Sequence, residues 1–216
     1  MGANGVGIYD PISDKPEFGI TMIVFIDRQH AGKPNKLADR GAAVDIDGDA
    51  TPEREAIITG QLSIELEKVL LLLGVDVMPI SDGTYSERHA RVNEYAAMYP
   101  NRKTVYLAMH LNAGGGDYAA FFYHHASTQG HELAKQLALG MQAAKYVNKA
   151  RPIKCKPNDW TKNAFYTIRG VGRPVAICCE PLFMDQPEHA QHLTYEGIQG
   201  LAMCMANAIV KWGSND

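Results

Sequence analysis

MIVFIDRQH, residues 22–30, decides how the rest of the chain is read. Met22, Ile23, Val24, Phe25 and Ile26 form a near-continuous apolar run with β-branched members, the pattern of a strand buried on both faces of a sheet. The run stops at Asp27, and Arg28, Gln29 and His30 follow where the strand should end. In open α/β sheets, groups that bind and react lie beyond the carboxyl ends of strands. His30 therefore stands where a functional side chain is expected.

Working outward, residues 31–52 are polar and contain DIDGDATP. Asp45, Asp47 and Asp49 resemble part of a calcium loop, but the Glu required six residues after Gly48 is replaced by Arg54, so a solvated acidic loop is the reading. Thr51 and Pro52 suit the start of a helix, expected over about 51–73 with Glu55 in its first turn. Ile58, Leu62, Leu66, Val69 and Leu73 give that helix a core stripe, and Gly74 ends it. Further strands are expected at 75–80, 104–109, 117–125, 165–168 and 175–179. Helices are expected at about 86–98, 127–148 and 187–212, and the Pro- and Lys-containing segment 150–163 reads as a surface loop. The alternation predicts an α/β fold: a single domain over 21–216, with a twisted, mostly parallel or mixed sheet of about six strands and helices on both faces. Residues 1–20, rich in Gly, Pro and Asp, read as an N-terminal arm.

Composition narrows the function classes. The chain has 216 residues and a formal charge of −3, and its Lys and Arg residues are scattered, so it has no electrostatic footprint for nucleic acid or an anionic membrane. The N-terminus lacks the basic and apolar regions of a signal peptide, and no segment stays apolar long enough to span a bilayer. Cys155, Cys178, Cys179 and Cys204 form neither a CxxC pair nor a disulfide framework, and read as reduced core residues of a cytosolic product.

Two strands end in histidine. The run at 104–109 is followed by His110, then Leu111, Asn112, Ala113 and three glycines, and the run at 175–179 ends in Glu180. Catalytic zinc takes three protein ligands, commonly histidines with a carboxylate, and keeps a fourth position open. His30, Glu55 and His110 could supply such a set, with Glu180 as a nearby acid/base, and no GxSxG elbow competes for the role. By spacing alone, eight histidines offer many triples, and histidines satisfied within the fold are the default. His124 and His125 should point to opposite faces of a strand, and His89, His131, His189 and His192 fall on expected helices at positions read as solvated.

With these residues in place, the chain resembles the zinc-dependent N-acetylmuramoyl-L-alanine amidases. DRQHAG at 27–32 matches that family's DxGHGG, and Asp39, Arg40, Gly41 and Ala42 match its D-x-GA element. Glu55 stands about twenty residues before Gly74, as the family's metal-binding Glu stands before the Gly preceding the next strand. RHARVN at 88–93 corresponds to RxxxAN, AMHLNA at 108–113 to SIHxNA, and CCEPLF at 178–183 to LVExGF. The order and intervals agree over about residues 22–212. The resemblance implies one Zn2+ per chain held by His30, Glu55 and His110, with Glu180 as the catalytic carboxylate. The substrate implied is bacterial peptidoglycan, cut between N-acetylmuramic acid and L-alanine, with no obligate protein partner. Asn112, Arg88 and Arg169 are candidate substrate contacts, with hydrogen bonds within loops an equal reading. Arg28, Gln29 and Leu111 replace small residues of the family pattern and bear on substrate access rather than on the reaction. With neither a wall-binding module nor a signal peptide in view, a phage or prophage endolysin, made in the cytoplasm and released to the wall by holin pores, is the expected context. The rivals are a zinc amidohydrolase or peptidase on soluble peptides and a non-catalytic wall-binding domain. Intact Glu180 argues against the latter.

Overall fold

A computed structural model describes residues 21–30 and 41–214. The expected arm at 1–20, and Ala31, Gly32, Asp39 and Arg40 of the two motifs, lie outside the described residues. Strand β1 (Met22–Arg28) is buried from Met22 to Asp27, as an apolar run without alternation requires. It lies between β4 (Asp76–Ile80) and β5 (Lys103–Met109), parallel to both. Beyond β5 come β8 (Val175–Glu180), β6 (Tyr118–His124) and β7 (Lys149–Cys155), giving the six-strand order β4-β1-β5-β8-β6-β7. All pairings are parallel except β6 with β8, so the sheet is mixed.

Successive residues of each strand face opposite layers. Met22, Val24 and Ile26 pack with Leu62 and Leu66 of α1 (Glu55–Leu72), Leu133 and Leu137 of α3 (Thr128–Ala143), and Leu201 and Met205 of α6 (Tyr195–Gly213). Ile23 and Phe25 face the other layer, where Val92 and Ala96 of α2 (Tyr85–Met98) meet Phe165 and Ile168 of α4 (Lys162–Ile168). The result is one α/β domain with helices on both faces of the sheet. Among the described residues, no helix is long and apolar enough to cross a membrane. All four cysteines are free, and burial pushes the Cys155 thiol up to about 12 and the Cys204 thiol up to about 11.

Four element expectations need correction. Residues 149–155 form edge strand β7 rather than a loop; half its side chains face solvent, which explains the Lys content, and Pro152 is tolerated because an edge strand leaves one side unpaired. Residues 165–168 belong to helix α4, not to a strand, since a four-residue apolar run has no period to separate the two. The closing helix is two: α5 (Pro187–Ala190), then a turn, then α6, whose Thr194 cap accepts from the Gly197 amide. Helix α1 also starts later than Thr51. A short hairpin, β2 (Ala43–Val44) with β3 (Glu53–Arg54), carries the chain to Glu55, and the Thr51 amide donates to Asp49 instead of the hydroxyl capping the helix.

Candidate active site

Three adjacent strands, β1, β5 and β8, deliver His30, His110 and Glu180 to the same carboxyl edge of the sheet. His30 stands two residues past β1 with φ +59°, a left-handed conformation that a non-glycine residue holds at some strain. His110 follows β5 directly, and its amide donates to Cys179 O at 2.9 Å, extending the β5–β8 pairing past the strand end. Glu55, the first residue of α1, reaches in from the other layer.

The Glu55 carboxylate is fixed before any ligand is considered. Its Oε2 accepts from the Ala42 amide at 2.9 Å and its Oε1 from the Leu111 amide at 3.0 Å, while its own amide donates to Ala42 O at 2.9 Å. Gly41 has φ +71°, and a Cβ there would lie 2.2 Å from Glu55 Oε2, so only glycine fits both the turn and the approach. The GA pair of the sequence motif is thus the seat of the carboxylate.

His30 Nε2, His110 Nδ1 and Glu55 Oε1 converge as a triangle with sides of 3.0, 3.1 and 3.3 Å. A tetrahedral zinc with two nitrogen ligands and one carboxylate oxygen needs donor atoms about 3.3 Å apart, so donor chemistry and spacing both fit the ion. With both rings in the tautomers that leave these two nitrogens unprotonated, their lone pairs and the carboxylate would face one point, as a dication requires. Burial works against ionisation of Glu55, but hydrogen bonds from His110 and His30 and their charges hold it well below the usual carboxylate range.

Glu180 behaves in the opposite way. Burial and the neighbouring Glu55 charge push it up to about 7, although Asn112 Nδ2 donates to Glu180 Oε2 at 2.5 Å and partly offsets this. A carboxyl poised near neutrality can both take and give a proton at working pH. The His110–Asn112 turn is held in register by Asn112 N to Leu182 O and Met184 N to Asn112 O, each 2.9 Å.

The three candidate substrate contacts separate. Asn112 orients Glu180. Arg88 is fully buried, with NH1 donating to Asp27 Oδ1 at 2.6 Å and Nε to Gly83 O at 3.1 Å, so it is corrected from substrate contact to internal counterion of Asp27. Tyr106 completes that cluster, its hydroxyl donating to Asp27 Oδ2 at 2.5 Å. Arg169 is exposed at the end of α4, with its guanidinium 4.3 Å from the Tyr166 ring centroid.

Several expectations for the other histidines are overturned. His124 and His125 do not diverge: β6 ends at His124, and the two rings stack 4.4 Å apart. His89 and His189 are buried rather than solvated; His89 Nε2 meets Thr167 O at 2.8 Å, and His189 Nδ1 accepts from the Phe183 amide at 2.9 Å. His192 lies in the turn between α5 and α6. Asp185 went unnoticed in the sequence. Its Oδ2 accepts from the Gly114 and Gly115 amides at 2.7 and 2.8 Å and ties the glycine loop after His110 to the loop after Glu180. Asp45, Asp47 and Asp49 are exposed and spend their oxygens on the amides of their own turn, consistent with a solvated loop.

No protein-family model matches the chain, and no curated protein does. Solved structures do. An N-acetylmuramoyl-L-alanine amidase from Clostridium difficile 630 aligns with a TM-score of 0.70 at 19% identity, over 90% of this chain and 98% of that one. Cwp6 from Clostridium difficile aligns with a TM-score of 0.69 at 20% identity over 88% of this chain, which spans only 29% of Cwp6. The catalytic domain of the CD27L endolysin, which targets Clostridia difficile, aligns with a TM-score of 0.62 at 18% identity over 88% of this chain and 97% of that domain. The chain has the fold of the amidase catalytic domains.

Proposed function

We propose that this chain is a zinc-dependent N-acetylmuramoyl-L-alanine amidase, with residues 21–216 as its catalytic domain, hydrolysing the amide between N-acetylmuramic acid and L-alanine of peptidoglycan. The observation that carries the reading is the convergence of His30 Nε2, Glu55 Oε1 and His110 Nδ1 at one strand edge that also carries Glu180. The shared fold with amidases supports it. An endolysin role is supported by the likeness to the CD27L catalytic domain, and implies action on the wall after release from the cytoplasm.

His30, Glu55 and His110 would hold one Zn2+. When bound, zinc supplies Lewis acidity, making water a stronger acid near neutral pH and polarising a carbonyl. The chain's own residues supply the remainder. Glu55 is locked by the Ala42 and Leu111 amides, so the donor set is preorganised rather than gathered on binding. Glu180 takes the proton of the attacking water on one oxygen and returns it to the departing amine of L-alanine, which leaves as a neutral amine rather than an amide anion. Asn112 keeps the Glu180 carboxylate from rotating away.

The test is cleavage of isolated peptidoglycan, followed by turbidity and by new amino termini, before and after chelation and zinc re-addition. Glu180→Gln should lower kcat by about 10²–10⁴-fold while zinc content stays at one per chain. New reducing ends in place of amino termini, or lysis indifferent to chelation, would overturn the assignment.

A further inference from the structure

Glu180 shares its face of the sheet with Cys178, which packs among the residues of α2 and α4, so alternation along β8 turns Glu180 towards that same layer. A groove of about 700 Å³ opens there between the start of α2 and the end of α4. Its size suits a small organic ligand. Tyr85 and Tyr166 give it aromatic surface; among the described residues Arg169 is its one cation and no Asp or Glu lines it.

The groove is a built feature. Asn93 Nδ2 donates to Gly170 O at 2.9 Å and Asn93 Oδ1 accepts from Gly172 N at 2.8 Å, fastening α2 to the segment after α4. A Cβ on Gly170 would lie 2.4 Å from His89 Nδ1, so the two helices meet there without room to spare. Arg169 extends past this seam over Tyr166, and among the described residues no carboxylate pairs with its guanidinium. Burial pushes His89 towards its neutral form, leaving Arg169 as the charge that a ligand meets. The Tyr85 hydroxyl is pushed up by burial and then by the Asp27 charge, with Arg88 opposing and Glu55 adding to the rise, so that end of the groove lies near the His30–Glu55–His110 cluster.

A muropeptide leaving the scissile amide carries a peptide with free carboxylates, the first of them on its second residue. We propose that this groove seats the peptide stem of the substrate and that Arg169 receives a stem carboxylate; this rests on the amidase reading above. A guanidinium seated over an aromatic ring keeps N–H donors for a planar carboxylate, and its ordering by the ring lowers the entropy lost on binding.

The experiment titrates the full chain with the tripeptide L-alanyl-γ-D-glutamyl-L-lysine and with its counterpart bearing a carboxamide on the glutamyl α-carbon. Affinity is read by calorimetry and location by NMR shifts of the Tyr85, His89 and Tyr166 rings. The carboxylate tripeptide should bind and move those rings. Arg169→Gln should weaken it about tenfold or more, and the carboxamide peptide should lose a similar factor against the wild type but nothing further against the variant. Equal affinity of wild type and Arg169→Gln, or shifts confined to residues outside the groove, would overturn the proposal. Wall cleavage, measured separately, keeps the two readings apart. Zinc-dependent cleavage with Arg169-independent peptide binding refutes the groove alone. Peptide binding through Arg169 without cleavage refutes the amidase reading alone.

Discussion

Two charged clusters lie side by side in this molecule, and they differ in how they are closed. Asp27, Arg88 and Tyr106 are all fully buried, and each oxygen of Asp27 accepts a short hydrogen bond, from Arg88 on one side and Tyr106 on the other. His30 and His110, a few residues further along the same two strands, converge with Glu55 of α1 as two imidazoles and a carboxylate. The first cluster is complete within the protein and serves the fold. The second presents a donor set of the kind that a dication takes. Proximity to the strand tips does not separate them, since Arg88 and His30 both approach that edge; the balance of donors and acceptors does.

The largest expected effect breaks the closed cluster. Arg88→Met strands the Asp27 carboxylate without its cation and should lower stability by about 3–5 kcal/mol in urea unfolding. His110→Ala in zinc-free protein should cost only about 1 kcal/mol. Equal losses at the two positions would erase the distinction between the clusters. The next effect is a pH dependence. The Glu180 carboxyl rises from 4.5 to about 7 on folding, so the folded state holds a proton that the unfolded state releases. Its stabilising contribution is complete below about pH 4.5 and is lost as pH rises through about 7. Across that window, zinc-free wild type should lose roughly 3 kcal/mol at most relative to Glu180→Gln, read from urea midpoints. A parallel pH course for the two proteins would show that Glu180 is not held near neutrality. The smallest effect closes the open cluster: zinc at about 100 times its Kd should add about 2.7 kcal/mol to wild-type stability and nothing to Glu55→Gln. Stabilisation that survives Glu55→Gln would put the ion elsewhere.

What the sequence discloses follows the same division. Buried parallel strands write themselves as unbroken apolar runs, so β1, β5 and β8 are legible from residue types alone. Edge strand β7 is not, because its exposed half takes the Lys and Arg of a loop, and α4 is too short to display a helical period. In the site, strand-end position and motif order suffice to bring His30, Glu55, His110 and Glu180 together. The role of Arg88 is hidden, since an arginine on an amphipathic helix normally faces solvent, and only its contact with Asp27, 61 residues away, reveals a core counterion. Asp185 is hidden for a related reason. Its partners are backbone amides of glycines 70 and 71 residues earlier, and backbone partners leave no trace in residue identity.

The three converging donor groups belong to segments far apart along the chain. His30 and His110 are separated by 80 residues, and Glu55 and His110 by 55. Loops of that length must be closed before any two of the groups are neighbours, and closing them means that β1, α1 and β5 have already docked. On the proposed zinc reading, folding would precede metal capture: an early chain offers scattered single ligands, and the three donors meet only once the topology is complete. The donor triangle is in this sense a late product of assembly, absent from any partly folded form in which those elements have not yet met.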